Sequence, residues 1–114
     1  MKKQDMLKKN KEFRYVVSRG KSVSTSALVL ITAKSRASVR FGFSVSSKLG
    51  NAVVRNRTKR IMREGITPLM PLLKQKTYYL FIARRELVGK KSTFCYEEML
   101  YLLKKAGMID EESC

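Results

Sequence analysis

Histidine is absent from the sequence, and only nine of the 114 residues are acidic. Histidine is the commonest general base in enzymes, so its absence removes the usual proton acceptor of a catalytic site. The acidic residues are scattered: Glu97 and Glu98 are adjacent and diverge on a helix, and three more fall at 110–112. A two-metal phosphodiesterase site needs several converging carboxylates. The sequence therefore argues against a hydrolytic site of its own.

Cysteine and long apolar runs are also scarce. Cys95 and Cys114 are the only cysteines, whereas a structural zinc site takes about four nitrogen or sulfur ligands. We expect both thiols to be reduced and without function, and no metal to be bound by the protein. The sequence has no transmembrane-length apolar run and no signal peptide, which predicts a cytoplasmic protein.

Positive charge is abundant. The chain has 25 basic residues and a net charge of +16, which predicts a polyanionic partner: nucleic acid first, an anionic membrane second. A chain of 114 residues, 44% of them hydrophobic, forms a single domain with one modest core. We expect a flexible basic N-terminus at 1–9 and an acidic tail at 108–114.

The spacing of apolar residues predicts the element order α-β-β-α-β-α and a mixed α/β fold, an α+β sandwich with helices packed on a sheet. Lys21 to Thr25 is predicted to be a polar linker. Gly65 should weaken the helix before it, and Thr67 should cap a short turn that begins with Pro68. The predicted elements are a helix at 11–19 capped by Asn10, strands at 27–33, 39–46 and 77–83, a helix from its cap Asn51 to about Glu64, and a helix at 93–106.

The helix that follows Asn51 is the most informative part of the chain. Six basic residues and no acidic one lie between Lys48 and Arg63. Surface helices usually intersperse acids as i,i+4 partners, so a phosphate-binding face is favoured over a merely solvated one. Val54, Thr58, Ile61 and Met62 share the stripe expected to pack. The opposite side carries Arg55, Asn56, Lys59, Arg60 and Arg63, with Arg57 on the flank.

A longer motif is embedded here. Leu49-Gly50-Asn51-Ala52-Val53, followed by Arg55-Asn56-Arg57 and Lys59-Arg60, resembles the signature of the bacterial ribonuclease P protein subunit. The preceding strand, Phe43-Ser44-Val45-Ser46-Ser47-Lys48, matches the one that leads into that signature. The resemblance extends from about Leu7 to Ala106 and is long and specific.

The resemblance implies a function as a non-catalytic subunit. In that family a large RNA subunit performs the Mg²⁺-dependent cleavage that removes the 5′ leader of precursor tRNA. The protein is a single RNA-binding domain whose partners are that RNA and precursor tRNA, with no membrane and no obligate protein partner. Mg²⁺ is held mainly by the RNA. With about five phosphate contacts, log K should fall against log salt with a slope of about −4.

The resemblance also implies two sets of contact residues. A cleft between the first helix and the sheet face would bind the leader. From the residues alone, Phe13 fits a core position as well as it fits that cleft. Val17 and Ile31 stand where the family often has aromatic residues, so stacking on leader bases should be weaker. The RNA-subunit contacts would be Lys48, Asn51, Arg55, Asn56, Arg57, Lys59, Arg60 and Arg63, and the leader cleft would be lined by Phe13, Val17, Ile31 and Ser44.

The residues alone leave open the handedness of the crossover between strands 39–46 and 77–83. These strands form a βαβ unit around the basic helix if they are parallel neighbours. General statistics predict a right-handed connection, since about 98% are. The resemblance implies the rarer left-handed one within a four-stranded sheet, and we adopt it.

Two other functions fit the composition. A general RNA-binding or ribosome-assembly protein would share the charge and the small fold, and only the long motif argues against it. A membrane-surface protein fits less well, because the basic helix carries small Val, Thr and Ile residues rather than Trp, Phe or Leu.

Overall fold

The computed structural model describes residues 6–7, 10–35 and 39–109. The sequence-based element order is reproduced, with one additional strand. Short 3-10 turns are formed by Ser47–Leu49, Thr67–Leu72 and Arg85–Leu87. The helices and strands are α1 (Asn10–Arg19), β1 (Lys21–Ser24), β2 (Leu28–Lys34), β3 (Arg40–Ser44), α2 (Ala52–Ile66), β4 (Thr77–Ala83) and α3 (Ser92–Lys105).

The strands form one four-stranded sheet in the order β1-β2-β4-β3. β1 pairs antiparallel with β2, and β2 pairs antiparallel with β4. β3 and β4 are parallel neighbours, with Gly42 opposite Leu80 and Ser44 opposite Ile82. The predicted βαβ unit around the basic helix is therefore confirmed, as is the mixed α/β fold. The left-handed sense of the crossover stays a prediction.

Strand β1 corrects the sequence analysis, which predicted a polar linker over Lys21 to Thr25. Its four residues pair with β2, Val23 opposite Leu30. β1 lies at the edge of the sheet, and only Val23 is half-buried while its neighbours are exposed. An edge strand with one buried side chain lacks the apolar alternation by which strands are recognised.

The main core lies between one face of the sheet and the helices α2 and α3. Two cross-strand aromatic pairs stack on this face: Phe41 with Tyr79 at 5.5 Å and Phe43 with Phe81 at 6.2 Å between ring centroids. Such pairs stabilise parallel and antiparallel neighbours beyond the area that they bury. The helices cover them with fully buried side chains, namely Met62, Ile66, Met99, Leu102 and Leu103.

Gly65 does not weaken α2, as the sequence analysis expected, because the helix continues through it to Ile66. A Cβ atom placed on Gly65 would lie 3.1 Å from the backbone nitrogen of Tyr96 and 3.3 Å from Cβ of Cys95. Glycine therefore allows α2 and α3 to approach closely. Glycine in a helix interior costs roughly 1 kcal/mol of stability relative to alanine, and the close packing of α2 on α3 compensates for this cost.

Thr67 does not act as the predicted side-chain cap. Its hydroxyl donates a hydrogen bond of 2.7 Å to the carbonyl oxygen of Arg63, one turn back along α2. The 3-10 turn that follows has no side-chain cap, although Pro68 does stand in its first turn as predicted. The Thr67 side chain thus caps the C-terminal end of α2, although the residue is also the first of the 3-10 turn.

Helix α1 packs on the other face of the sheet. Val16 is fully buried there in a second, smaller cluster with Leu7, Ile31, Ala33 and Leu80. Gly42 makes room for the helix, because a Cβ on it would lie 2.7 Å from Cδ1 of Leu7 and 3.1 Å from Cε1 of Phe13. The missing side chain at this point of β3 therefore lets α1 lie against the sheet.

The described ends of the chain are packed. The backbone nitrogen of Leu7 donates to the carbonyl oxygen of Phe41 at 2.8 Å, and the Leu7 side chain is buried. At the other end Ile109 is buried, and the carbonyl oxygen of Met108 accepts from the backbone of Lys74 at 3.3 Å. The rest of the predicted N-terminal segment and acidic tail, the Asn10 side chain and Cys114 lie outside the described residues.

Within residues 6–7, 10–35 and 39–109, no helix has the length and apolar character needed to cross a membrane.

Cys95 is the described cysteine, and it is buried as a free thiol on α3. Burial, reinforced by the nearby charge of Glu98, raises the pKa of the thiol from 9.0 to about 12.

We predict that iodoacetamide at pH 8 alkylates Cys95 slowly in the folded Cys114→Ser variant, because the thiolate fraction is about a thousandfold smaller than at the ordinary pKa. Mass spectrometry of the native and the guanidinium-unfolded protein compares the rates; equal rates would place Cys95 at the surface.

Candidate nucleic-acid interface

One side-chain cap fixes the start of α2, and a second fixes the 3-10 turn Ser47–Leu49 before it. Oδ1 of Asn51 accepts a hydrogen bond from the backbone nitrogen of Val54 at 3.1 Å, as predicted for an N-cap. Ahead of it, Oγ of Ser46 accepts from the backbone nitrogen of Lys48 at 3.2 Å. Asn51 and Lys48 are both exposed. The side-chain oxygen of Asn51 is thus bonded within the helix, which leaves the side-chain NH₂ group of Asn51 for an outside partner.

The packed stripe of α2 is as predicted. Thr58 and Met62 are buried, and Val54 and Ile61 are half-buried beside them. The hydroxyl of Thr58 donates to the carbonyl oxygen of Val54 at 2.8 Å, so its polar group is satisfied within the helix. This stripe holds α2 on the core and sets the direction in which the opposite face points.

The opposite face of α2 is exposed and basic. Arg60 lies near its centre, and its side chain is 80% exposed. Arg63 bends back along the helix, where its Nε donates to the carbonyl oxygen of Lys59 at 3.4 Å. Asn56 and Arg57 are exposed on the same helix. Four of the predicted contact residues therefore share a solvent-facing surface: Asn56, Arg57, Arg60 and Arg63.

Arg55 and Lys59 lie closer to the core than the sequence analysis placed them. Both are half-buried at the margin of the packed face. At 3.6 residues per turn, Arg55 projects within about 20° of Met62, so it cannot stand on the opposite side. Nε of Arg55 is buried and has no hydrogen-bond partner among the described residues. Arg55 and Lys59 therefore lie at one edge of the exposed face.

One carboxylate does reach the basic face, which the sequence analysis did not expect. Nε of Arg60 and Oε1 of Glu64 form a salt bridge of 2.9 Å at i,i+4 spacing. Glu64 lies one residue beyond the acid-free segment. An exposed pair of this kind contributes only about 0.3–0.5 kcal/mol, so it leaves most of the positive charge of the face available to phosphate.

The four residues predicted for the leader cleft are not equally accessible. Phe13 is half-buried over Gly42, and Val17 is 59% exposed on α1. Ser44 is half-buried on the uncovered part of β3. Ile31 is buried beneath α1, where its Cγ2 would lie 2.5 Å from a Cβ placed on Gly20. Ile31 therefore supports α1 and does not form an open wall.

Two apolar residues of this surface were missed by the sequence analysis. Val29 and Ile82 are half-buried and pair with one another across β2 and β4. Ile82 also pairs with Ser44, which places all three on the face that α1 occupies, next to the helix. Alternation along the two strands puts residues 29, 31 and 33 and residues 78, 80 and 82 on one face, and this pattern could have indicated them.

Metal-ligating side chains do not gather anywhere in the described part of the chain. No three His, Cys, Asp or Glu residues of it come together as the ligands of an ion would. The residues that converge in the structure are cations on α2 and apolar groups beside α1. This chemistry suits the binding of a polyanion.

Comparison with known proteins identifies the family. The model of the ribonuclease P family matches residues 1–107. The chain belongs to the ribonuclease P protein family. Among curated relatives, the ribonuclease P protein component of Clostridium botulinum strain Langeland is 42% identical over 108 residues, covering 93% of this chain and 97% of that protein. The component of Bacillus cereus strain AH187 is 36% identical over 110 residues, covering 95% and 96%.

Solved structures of the ribonuclease P family share the fold. The RNase P protein of Staphylococcus aureus, determined at 2.0 Å, superimposes with a TM-score of 0.83 at 30% identity and covers 93% of this chain and 98% of its own. The Thermotoga maritima protein superimposes with a TM-score of 0.78 at 26% identity, covering 88% and 96%. The four-stranded sheet and its helices are therefore a ribonuclease P protein fold.

Arg60 offers a direct test of the basic face. We predict that Arg60→Ala weakens binding to ribonuclease P RNA and reduces the slope of log K against log salt by about 1, because one phosphate contact is lost. Thermal stability should change by less than about 0.5 kcal/mol, since only an exposed salt bridge is removed. Filter binding at several salt concentrations and thermal denaturation measure the two effects.

Glu64→Gln is the matched control for Arg60→Ala. It breaks the same salt bridge but keeps the arginine, so RNA affinity should hold or rise. Early melting of Arg60→Ala with unchanged RNA binding would show that Arg60 is structural and that the assigned face is wrong.

Proposed function

We propose that this protein binds the RNA subunit of ribonuclease P through α2 and the 5′ leader of precursor tRNA through the surface beside α1. In this proposal the RNA subunit performs the endonucleolytic cleavage in the bacterial cytoplasm, with Mg²⁺ held mainly by the RNA. The protein positions the two RNAs and takes no part in bond breaking.

The observation that carries the proposal is the division of α2 into two faces. Thr58 and Met62 anchor the helix in the core, while Arg57, Arg60 and Arg63 are exposed on it. Arginine binds phosphate oxygens through paired N–H groups, and such contacts position a protein on RNA without reading sequence. A helix that is firmly packed on one side presents these groups in a fixed arrangement.

The neighbouring contact residues add to this face. Lys48 and Asn51 stand at the N-terminus of α2, where backbone N–H groups also favour phosphate. Arg55 and Lys59 are half-buried along one edge of this face. Phosphate contacts therefore run from the helix start to Arg63 along almost its full length, which suits the backbone of a structured RNA.

The surface beside α1 has the chemistry of a single-strand site. Phe13 supplies an aromatic edge, and Ser44, Val29 and Ile82 form a half-buried floor of small and apolar groups. Unpaired RNA needs such surfaces for its bases. Val17 is aliphatic at a position where the resemblance implies that the family often has an aromatic residue. We infer that leader bases are held more by van der Waals contact than by stacking.

Reconstitution tests the proposed function. The purified chain is mixed with a bacterial ribonuclease P RNA at low Mg²⁺, and cleavage of precursor tRNA is followed beside protein-only and RNA-only reactions. We predict that only the mixture cuts efficiently and that it cuts at the mature 5′ end. A protein that adds nothing to the RNA reaction would instead be a general RNA-binding or ribosome-assembly protein.

Phe13 separates leader binding from binding of the tRNA body. We predict that Phe13→Ala lowers affinity for leader-bearing precursor about fivefold or more, the loss expected for one base contact, and lowers affinity for mature tRNA less. Binding of both RNAs to the reconstituted complex gives the two dissociation constants.

Phe94→Ala is the matched control, because Phe94 is also a half-buried phenylalanine but lies on α3 with Nζ of Lys90 5.3 Å from its ring. It should leave the preference for precursor unchanged. Equal losses for precursor and mature tRNA in Phe13→Ala would remove Phe13 from the leader site.

A further inference from the structure

The flank of α1 that faces away from Phe13 carries a second basic surface. Lys11, Tyr15 and Arg19 follow one another at i, i+4 and i+8, so they line one side of the helix. All three are exposed, Tyr15 by 40%. Phe13 projects about 160° away from Tyr15 around the helix. We call this surface the Tyr15 flank, and it is separate from the proposed leader site.

The Tyr15 ring is held in a fixed orientation. Its hydroxyl donates to the carbonyl oxygen of Lys34, at the end of β2, at 3.0 Å. Tyr78 packs against it edge to face, with ring centroids 6.0 Å apart and planes at 83°. Two contacts to the sheet thus fix an aromatic ring that is still 40% exposed. A ring fixed in advance costs little side-chain entropy when a ligand stacks on it.

Hollows lie on the two sides of Tyr15 along α1. One of about 330 Å³ is bordered by Arg19 and by Lys21 of β1. The other, of about 360 Å³, is bordered by Lys11 and Tyr78. Tyr15 and Lys34 belong to both. The fixed ring therefore stands between two concave spaces, each with exposed cations at its edge.

The charge of these hollows is strongly unbalanced. Lys11, Arg19, Lys21 and Lys34 are exposed, and no salt bridge joins any of them to an acid within the described residues. Glu12 is the acid that borders the second hollow, and none of the residues given for the first is acidic. Oε2 of Glu12 accepts from the Tyr78 hydroxyl at 3.3 Å and lies 4.0 Å from Nε of Arg40. The Glu12 carboxylate is therefore engaged by Tyr78 and Arg40, and the four cations are exposed.

We propose that the Tyr15 flank binds an unpaired segment of RNA, with one base stacked on Tyr15 and the adjoining phosphates on the cations beside it. A rigid aromatic ring between cations is the arrangement by which proteins hold single strands, because stacking accepts any base while the cations bind the backbone. An acidic peptide would satisfy the cations but would leave the ring without a planar partner. The proposal rests on the chain being an RNA-binding protein and on no particular RNA.

Crosslinking of the unaltered protein tests the proposal directly. A short oligouridylate containing 4-thiouridine is bound, irradiated and digested with trypsin. Cleavage after Lys11, Arg14 and Arg19 separates Phe13 in peptide 12–14 from Tyr15 in peptide 15–19. Because peptide 15–19 also contains Val17 of the proposed leader site, fragment-ion spectra assign each crosslink to a single residue. We expect crosslinks on Tyr15 in addition to any on Phe13 or Val17. Crosslinks that avoid Tyr15 would overturn the proposal, whether or not the leader site is labelled.

Substitution of Tyr15 gives the quantitative test. Tyr15→Ala should weaken binding of the same oligouridylate, measured by fluorescence anisotropy, about fivefold or more. Tyr15→Phe keeps the ring and should stay within about twofold of the parent. Tyr101→Ala is the matched control, since Tyr101 is 53% exposed and lies 5.7 Å from Nζ of Lys105, but on α3. Equal effects of Tyr15→Ala and Tyr101→Ala would overturn the proposal, and if Tyr15→Ala does not fold, the crosslink decides.

Two competitors identify the source of the RNA. Ribonuclease P RNA and a leader-length oligonucleotide are each added before irradiation. Protection of Tyr15 from crosslinking by one of them supports the proposal and assigns the flank to that RNA. Protection by neither would show that the label on Tyr15 is not a specific RNA contact, which would overturn the proposal. Reconstituted cleavage by the unaltered chain tests the proposed function separately, because its outcome does not depend on where a short oligouridylate crosslinks.

Discussion

Parallel pairing of β3 with β4 is the constraint on which the rest of the structure depends. Parallel neighbours need a crossover connection, and here that connection is α2. The helix must lie on the sheet, so Thr58 and Met62 are drawn into the core and the arginines on the other side are turned outward. The basic face is thus a product of topology as much as of composition, since the same charges on a loosely attached helix would have no fixed direction.

The sheet serves different purposes on its two faces. One is closed by α2 and α3 over stacked aromatic pairs and supplies most of the stability. Among the described residues, the other face is covered by α1 and by Leu7, and the small residue Gly42 lets both lie close to the strands. Because α1 is narrower than the face it covers, surface is left on each of its flanks. Stability and ligand binding are therefore assigned to opposite sides of one sheet.

Much of the fold and of the basic face could be predicted from the sequence. β4 and the core stripe of α2 follow strong periodicities, and Asn51 is a good cap. β1 was missed because an edge strand needs little apolar character. Gly65 was misjudged because it allows α2 to pack closely on α3, and that contact joins residues that are distant in the sequence. Arg55 was assigned to the wrong side of α2, although helical spacing places it within about 20° of Met62. Ile31 was placed by the resemblance, whereas its burial depends on how α1 lies on the sheet. The roles of the contact residues in binding RNA stay predictions.

Val16 is the one fully buried residue among the described side chains of α1. The helix is otherwise attached to the sheet by partly exposed side chains, Phe13 on one flank and Tyr15 on the other. Both proposed RNA surfaces therefore use side chains that also attach α1 to the sheet, so a substitution on either flank alters the seating of the helix as well as the surface for RNA.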